Sequence, residues 1–215
     1  PSGSNPTPGA SSNDVAAAID WARLHGANVI NMSLGAPGGS DPLEHTAIQN
    51  AINANIVVVA AAGNDGLAEL LYPASDPLVI SVGADALNDS AAPGDPTKAT
   101  EYVASYSDYG NVSTPMDLIA PGGDPSGSSD NDFLHWILNL WSNTANTIPG
   151  PDILIAGTSK AAPHVAGAAA LILSKNATLT PAQVRTIIDN TADNIGDAKQ
   201  GHGRLNVDQA LFITP

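Results

Sequence analysis

The run Ile56-Val57-Val58-Val59-Ala60-Ala61-Ala62 carries no polar side chain, and a strand without alternation must be covered on both faces. That condition is met inside a parallel sheet with helices on either side, so this stretch points to a layered α/β architecture. Two more segments fit the same sheet. Asn28-Val29-Ile30-Asn31-Met32-Ser33-Leu34-Gly35 reads as a strand running into a Gly/Pro loop, and Leu78-Val79-Ile80-Ser81-Val82-Gly83 as another. Helical patterns alternate with them. From Asp14, the apolar residues Val15, Ala18, Ile19 and Ala22 recur at three- and four-residue spacing until Gly26 ends the pattern. Asp41-Pro42-Leu43-Glu44 opens a second helix with a cap, a proline at the first position and an acid three residues after the cap. Leu43, Ala47, Ile48, Ala51 and Ile52 are expected to face inward. The class is therefore α/β with a mostly parallel sheet. Chemistry in such sheets collects at the carboxyl ends of the strands, which singles out Ser33-Leu34-Gly35 and Gly63-Asn64.

A chain of 215 residues can form one domain with a sizeable core and is too short for two large ones. Residues 1–13, rich in Pro, Gly, Ser and Asn, read as a linker or surface loop, and 14–215 as the folded unit. Seven Lys and Arg against 21 Asp and Glu leave a net charge of −14. This argues against nucleic acid or an anionic membrane as partner, since both need clustered positive charge. Zero Cys rules out disulfides and thiolate metal sites. No apolar run approaches the roughly 20 residues that span a bilayer. The chain opens in Pro1-Ser2-Gly3-Ser4 with neither an initiator Met nor a signal peptide, and reads as a piece of something longer.

The densest chemical signal is Gly157-Thr158-Ser159-Lys160-Ala161-Ala162-Pro163-His164-Val165-Ala166-Gly167. A small-residue turn delivers the Ser159 hydroxyl to the start of an Ala-rich helix expected to run to about Leu173. A helix start offers unpaired N–H groups and the positive end of a dipole, so a nucleophile there can have the charge it creates stabilised by its own backbone. Taken alone, Thr158 or Ser159 could equally be a helix cap.

The whole stretch resembles the nucleophile motif of the subtilases, the subtilisin-like serine proteases, which reads Gly-Thr-Ser-x-Ala-x-Pro-His-Val-Ala-Gly. Lys160 stands where that family usually has Met. Asn31–Gly35 and Val58–Asn64 resemble two further subtilase segments in the family's order. Asp117-Leu118-Ile119-Ala120-Pro121-Gly122 resembles the strand and turn ahead of the serine, and Gly201–Val207 the closing segment. The likeness is weakest over 85–116 and 123–152. It implies a three-layer subtilisin-like fold whose early strands are missing, with 14–215 as roughly the C-terminal two-thirds of a peptidase domain. It also implies a serine endopeptidase working through an acyl-enzyme on Ser159, with the Asn64 carboxamide as oxyanion donor and no cofactor for the chemistry. In the subtilisins, losing that donor lowers turnover by roughly 10²–10³; the magnitude is the family's. Ser33, Leu34 and Gly35 would pair with an extended polypeptide substrate. Ala60, Ala61, Ala62 and Gly63 would form one wall of the pocket for the residue before the cut, favouring an apolar side chain. The resemblance also implies secretion, and structural calcium, although no Asp/Glu loop here has the spacing of a self-contained site; Asp76, Asp85 and Asp89 are available carboxylates, read as solvated.

The family brings its Asp in Asp-Ser/Thr-Gly and its His in His-Gly-Thr-His, both ahead of the first helix read here, and neither motif occurs in this sequence. His25 ends a helix, His45 lies within the second, His164 and His202 belong to the serine motif and the closing segment, and His135 lies in a divergent loop. Without acid and base, the chain by itself is expected to be nearly inactive, its partner being the missing N-terminal part of its own domain. The alternative is a non-catalytic relative that binds peptides or partners through the retained groove. Having no Met at position 160 removes one oxidation site. In the complete enzyme, Lys160→Met is expected to speed inactivation by peroxide; equal inactivation of the two forms would contradict this.

Overall fold

The strand read from Ile56–Ala62 is at the centre of the fold. In a computed structural model, which describes residues 10–90, 98–124, 135–140 and 152–215, β2 (Val57–Ala61) is buried along its whole length. It lies between β1 (Val29–Met32) and β3 (Ile80–Asn88), parallel to both. Its pleat sends Val57, Val59 and Ala61 to one face and Val58 and Ala60 to the other. On the second face, α1 (Ser12–Leu24) and α2 (Pro42–Asn53) supply Ile19, Ala47, Ile48 and Ala51. On the first, α3 (Thr158–Lys175) brings Ala161, Ala162, Val165 and Ala169. Behind it, α4 (Pro181–Thr191) adds Val184 and Ile188, and α5 (Val207–Ile213) adds Ala210. Small residues on α3 let that helix approach the sheet closely. The architecture is a three-layer α/β fold with a mostly parallel sheet.

β3 is longer than its apolar run. Its first residues pair with β2, and the rest pair with β5 (Leu118–Pro121) in parallel and with β4 (Thr100–Val103) antiparallel. Beyond β5, β6 (Ile137–Leu140) and β7 (Asp152–Ile155) form a separate antiparallel pair. The apolar segment Phe133–Trp141 of the divergent stretch 123–152, compatible by sequence with a strand or a helix, holds a strand; Phe133, Leu134 and Trp141 lie outside the described residues.

Several sequence expectations need correction. Ser11 caps α1 and accepts a hydrogen bond from Asp14 N–H at 3.3 Å, so the helix begins inside the stretch read as linker. Leu43 is 60% exposed, because at the second position of α2 it lies beyond the edge of the layer that covers Ala47 and Ile48. Asp76 and Asp85 are buried rather than solvated. Asp76 is held by His45 Nδ1 at 2.6 Å, by the Tyr72 hydroxyl at 3.2 Å and by the N–H of Leu78 at 3.0 Å.

Candidate active site

Gly157 precedes α3 at φ +146°, in the left-handed region open to glycine. It offers no side-chain cap to the helix start. Of the first-turn N–H groups, that of Lys160 donates to the Gly157 carbonyl at 2.8 Å. That of Ser159 makes no hydrogen bond among the described residues and stays available. That of Thr158 donates to Asn64 Oδ1 at 2.9 Å, and the Thr158 hydroxyl donates to the same oxygen at 3.0 Å. A backbone N–H can only donate, so the Asn64 atom facing it must be the oxygen. Its Nδ2 group is left pointing away as a donor, and Asn64 is exposed. Ser159, the next residue of α3, is half-buried beside it.

Asn64 is placed by the end of β2. Gly63 has φ +125°, and a Cβ there would overlap the Asp108 carboxylate. Buried Asp108 accepts from the N–H groups of Asp65 at 3.2 Å and Leu67 at 2.8 Å, fixing the turn that carries Asn64. Burial pushes the Asp108 carboxyl above its usual range, and these backbone donors offset part of the shift.

Pro163 has a consequence for Ser159. Lacking an N–H, it cannot bond the carbonyl four residues back, which is that of Ser159. The freed carbonyl accepts from the Ser33 hydroxyl at 2.9 Å, while Ser159 Oγ lies 3.4 Å from the Ser33 carbonyl. The Ser33 hydroxyl is itself steadied by Asn31 Nδ2 at 3.0 Å. The end of β1 and the head of α3 are thereby joined at Ser159.

Of the residues singled out from sequence, Ser159, Asn64, Ser33 and Gly63 come together. Leu34 and Gly35 follow Ser33 on the surface, and their backbone groups make no hydrogen bond among the described residues. Ala60, Ala61 and Ala62 are buried, their side chains in three different core clusters, so any contact they make with a ligand is through backbone. Thr158 was read from sequence only as a possible helix cap, a position that Gly157 takes, and Pro163 was given no role; the helix-breaking proline three residues into an apolar run was the available signal. Among the described residues no imidazole is within hydrogen-bond distance of Ser159 Oγ. His164 Nδ1 pairs with Lys160 O at 2.8 Å, and buried His135 pairs with Leu87 O at 2.9 Å. Nor do the described residues group three carboxylates or imidazoles in reach of a cation. With Asp76 and Asp85 buried and Asp89 3.3 Å from His135 Nε2, these carboxylates do not fit a calcium cage.

The site thus sets a serine hydroxyl at a helix start beside a carboxamide whose donor end is turned outward by a neighbouring threonine, within an α/β fold. The chain belongs to the subtilase family, whose sequence model matches residues 2–203. It is 38% identical over 202 residues to subtilisin DY of Bacillus licheniformis, covering 91% of this chain and 61% of that protein. Against subtilisin Savinase of Lederbergia lenta the identity is 34% over 198 residues, again covering 91% and 61%. Among solved structures, a protease of Pseudoalteromonas arctica superposes with TM-score 0.78 at 29% identity, over 96% of this chain and 60% of that one. The prenylagaramide maturation protease PagA does so with TM-score 0.73 at 31% identity, over 97% and 69%. The chain thus spans 61% of the length of these two subtilisins, and 43% of that of subtilisin E of Bacillus subtilis. Among the described residues no helix is long and apolar enough to cross a membrane.

Proposed function

We propose that this chain carries the nucleophile and oxyanion half of a secreted serine endopeptidase that cleaves polypeptides through an acyl-enzyme on Ser159. The observation that carries this reading is the Thr158–Asn64 latch, which leaves one carboxamide N–H₂ and the backbone N–H of Ser159 beside a single hydroxyl. Attack by Ser159 Oγ on a carbonyl would place the new oxyanion where both kinds of donor can meet it. The proton on Oγ needs a base oriented by an acid. Both are supplied by residues outside this chain, consistent with its 61% span of subtilisin DY and with the absence of their motifs from the sequence. The exposed backbone of Leu34-Gly35 would take an extended substrate by strand addition.

The test is fluorophosphonate labelling with the adduct mapped by peptide mass spectrometry. The isolated chain should label slowly or not at all. The chain joined to its preceding genomic segment should label rapidly at Ser159, and Ser159→Ala should not label. A fast, specific adduct on the isolated chain would show that a base is already present, and the account of what is missing would fall.

A further inference from the structure

Four helices here start with a polar cap followed three residues later by a residue able to bond back to it; at the short α5, Gln209 makes no such bond to Asn206. At α1 and α4 the bond is made: Asp14 Oδ2 accepts from the N–H of Ser11 at 3.1 Å, and Gln183 Oε1 from that of Thr180 at 2.9 Å. At α2 the cap Asp41 accepts from the N–H groups of Leu43 at 2.9 Å and Glu44 at 3.1 Å, but Glu44 makes no bond in return. Its side chain is instead 5% exposed, and Oε1 is buried with no hydrogen-bond partner among the described residues. Burial, then Asp41 and Asp76, hold its carboxyl above the usual range. Asp41 uses Oδ1 for both cap bonds, and Asp76 is held by His45, Tyr72 and Leu78. Glu44 is the acid of this group with a buried oxygen that lacks a partner among the described residues.

Glu44 lines a cleft of about 610 Å³ whose wall includes Leu34, Gly35, Ala36, Pro37 and Tyr72. Ala36 and Tyr72 close that wall with reciprocal backbone bonds of 2.9 and 3.0 Å. None of the described residues lining the cleft is Lys, Arg or His. The cleft adjoins the nucleophile through Ser33, whose carbonyl lies 3.4 Å from Ser159 Oγ. An extended peptide advances about 3.3 Å per residue, so a chain laid along Leu34-Gly35 brings a side chain over this cleft within a few residues of the bond at Ser159.

We infer that Glu44 is a specificity-determining residue: its carboxylate takes the ammonium or guanidinium group of a Lys or Arg side chain, at one position of the peptide segment lying along Leu34-Gly35. A carboxylate removed from water gains most from a cation that arrives with its own hydrogen-bond donors, and neither Lys nor Arg from the described part of this cleft competes for it. This inference rests on the proposed peptide groove.

The test uses the 215-residue chain carrying Ser159→Ala, so that binding is read without turnover. Ala-rich peptides with one Lys walked through successive positions are titrated by calorimetry, each against the same peptide with norleucine, which keeps the aliphatic stem and lacks the charge. At one position the Lys peptide should bind about tenfold or more tightly than its norleucine counterpart. Glu44→Gln should reduce that ratio to about twofold or less while leaving norleucine binding unchanged. Equal binding of the Lys and norleucine series overturns the inference. So does a preference that survives Glu44→Gln, which would then belong to the overall negative charge. If neither series binds, the peptide groove itself is refuted, and the role of Glu44 with it.

Discussion

Replacing Asp117 with Ala is expected to destabilise the fold by about 3 kcal/mol or more, a large part of the stability of an ordinary domain. Asp117 begins the segment leading into β5 and is buried. Its Oδ2 accepts from both the N–H and the hydroxyl of Ser81 at 2.8 and 2.9 Å, and its Oδ1 from Arg185 Nε at 2.6 Å. One carboxylate therefore ties β3 to β5 and both to α4. Truncation leaves the two buried Ser81 donors without their acceptor, and that penalty dominates, because Arg185 is about a third exposed and can recover water. The exposed Asp20–Arg23 pair at 3.0 Å is the control: Asp20→Ala should change stability by no more than about 0.5 kcal/mol. Urea unfolding of the two variants against the parent decides it. Equal midpoints for all three would mean that Asp117 carries no special share of the fold.

Asp85→Asn should stabilise the protein at pH 8 and do nothing near pH 4. Asp85 lies where β3 passes from β2 to β4 and β5, opposite Val103 and Pro121. It is 5% exposed, and Oδ1 has no hydrogen-bond partner among the described residues. Burial raises its carboxyl from about 3.8 to about 7; the nearby Glu101 adds to the shift, while Arg204 opposes it. The folded state thus holds a proton that the unfolded chain has released. Between about pH 4 and pH 7 the folded state binds more protons, so stability falls as pH rises through that window. A shift of roughly three units amounts to about 4 kcal/mol at most. Glu44, Asp108 and Asp189 shift in the same direction and Asp14 and Asp193 in the opposite one, so the informative quantity is the variant-minus-parent difference. That difference should grow from zero to a few kcal/mol between pH 4 and pH 8. A difference independent of pH would show that Asp85 is not a buried titrating acid.

Much of this protein is written in short-range signals. The apolar run at β2, the Asp41-Pro42 start of α2, the Thr180–Gln183 box at α4 and the Ser159 motif each depend on residues a few positions apart. Periodicity, caps and motifs therefore disclosed the α/β order and singled out Ser159 and Asn64, which the fold brings to one place. They did not disclose β4, whose Thr100–Val103 carries no apolar run and is a strand because the far half of β3 offers it an open edge. They also misplaced Leu43 and Asp85, because the local sequence does not say which neighbour will cover a side chain.

The sequence by itself determined which groups are available: a hydroxyl at a helix start, a carboxamide at a strand end, a proline that must free one carbonyl. The tertiary structure alone decided how they meet. The bond between Thr158 and Asn64 joins residues 94 apart in the chain, and that between Ser33 and Ser159 residues 126 apart. Such pairings follow from the stacking of α3 on β1 and β2. That stacking is set by the burial of apolar surface, which is non-directional, and the polar partners are then fixed by whichever donors and acceptors it brings within reach. The stray carboxylate of Glu44 arises in the same way, from a helix start whose cap bond was left unmade beside a cleft.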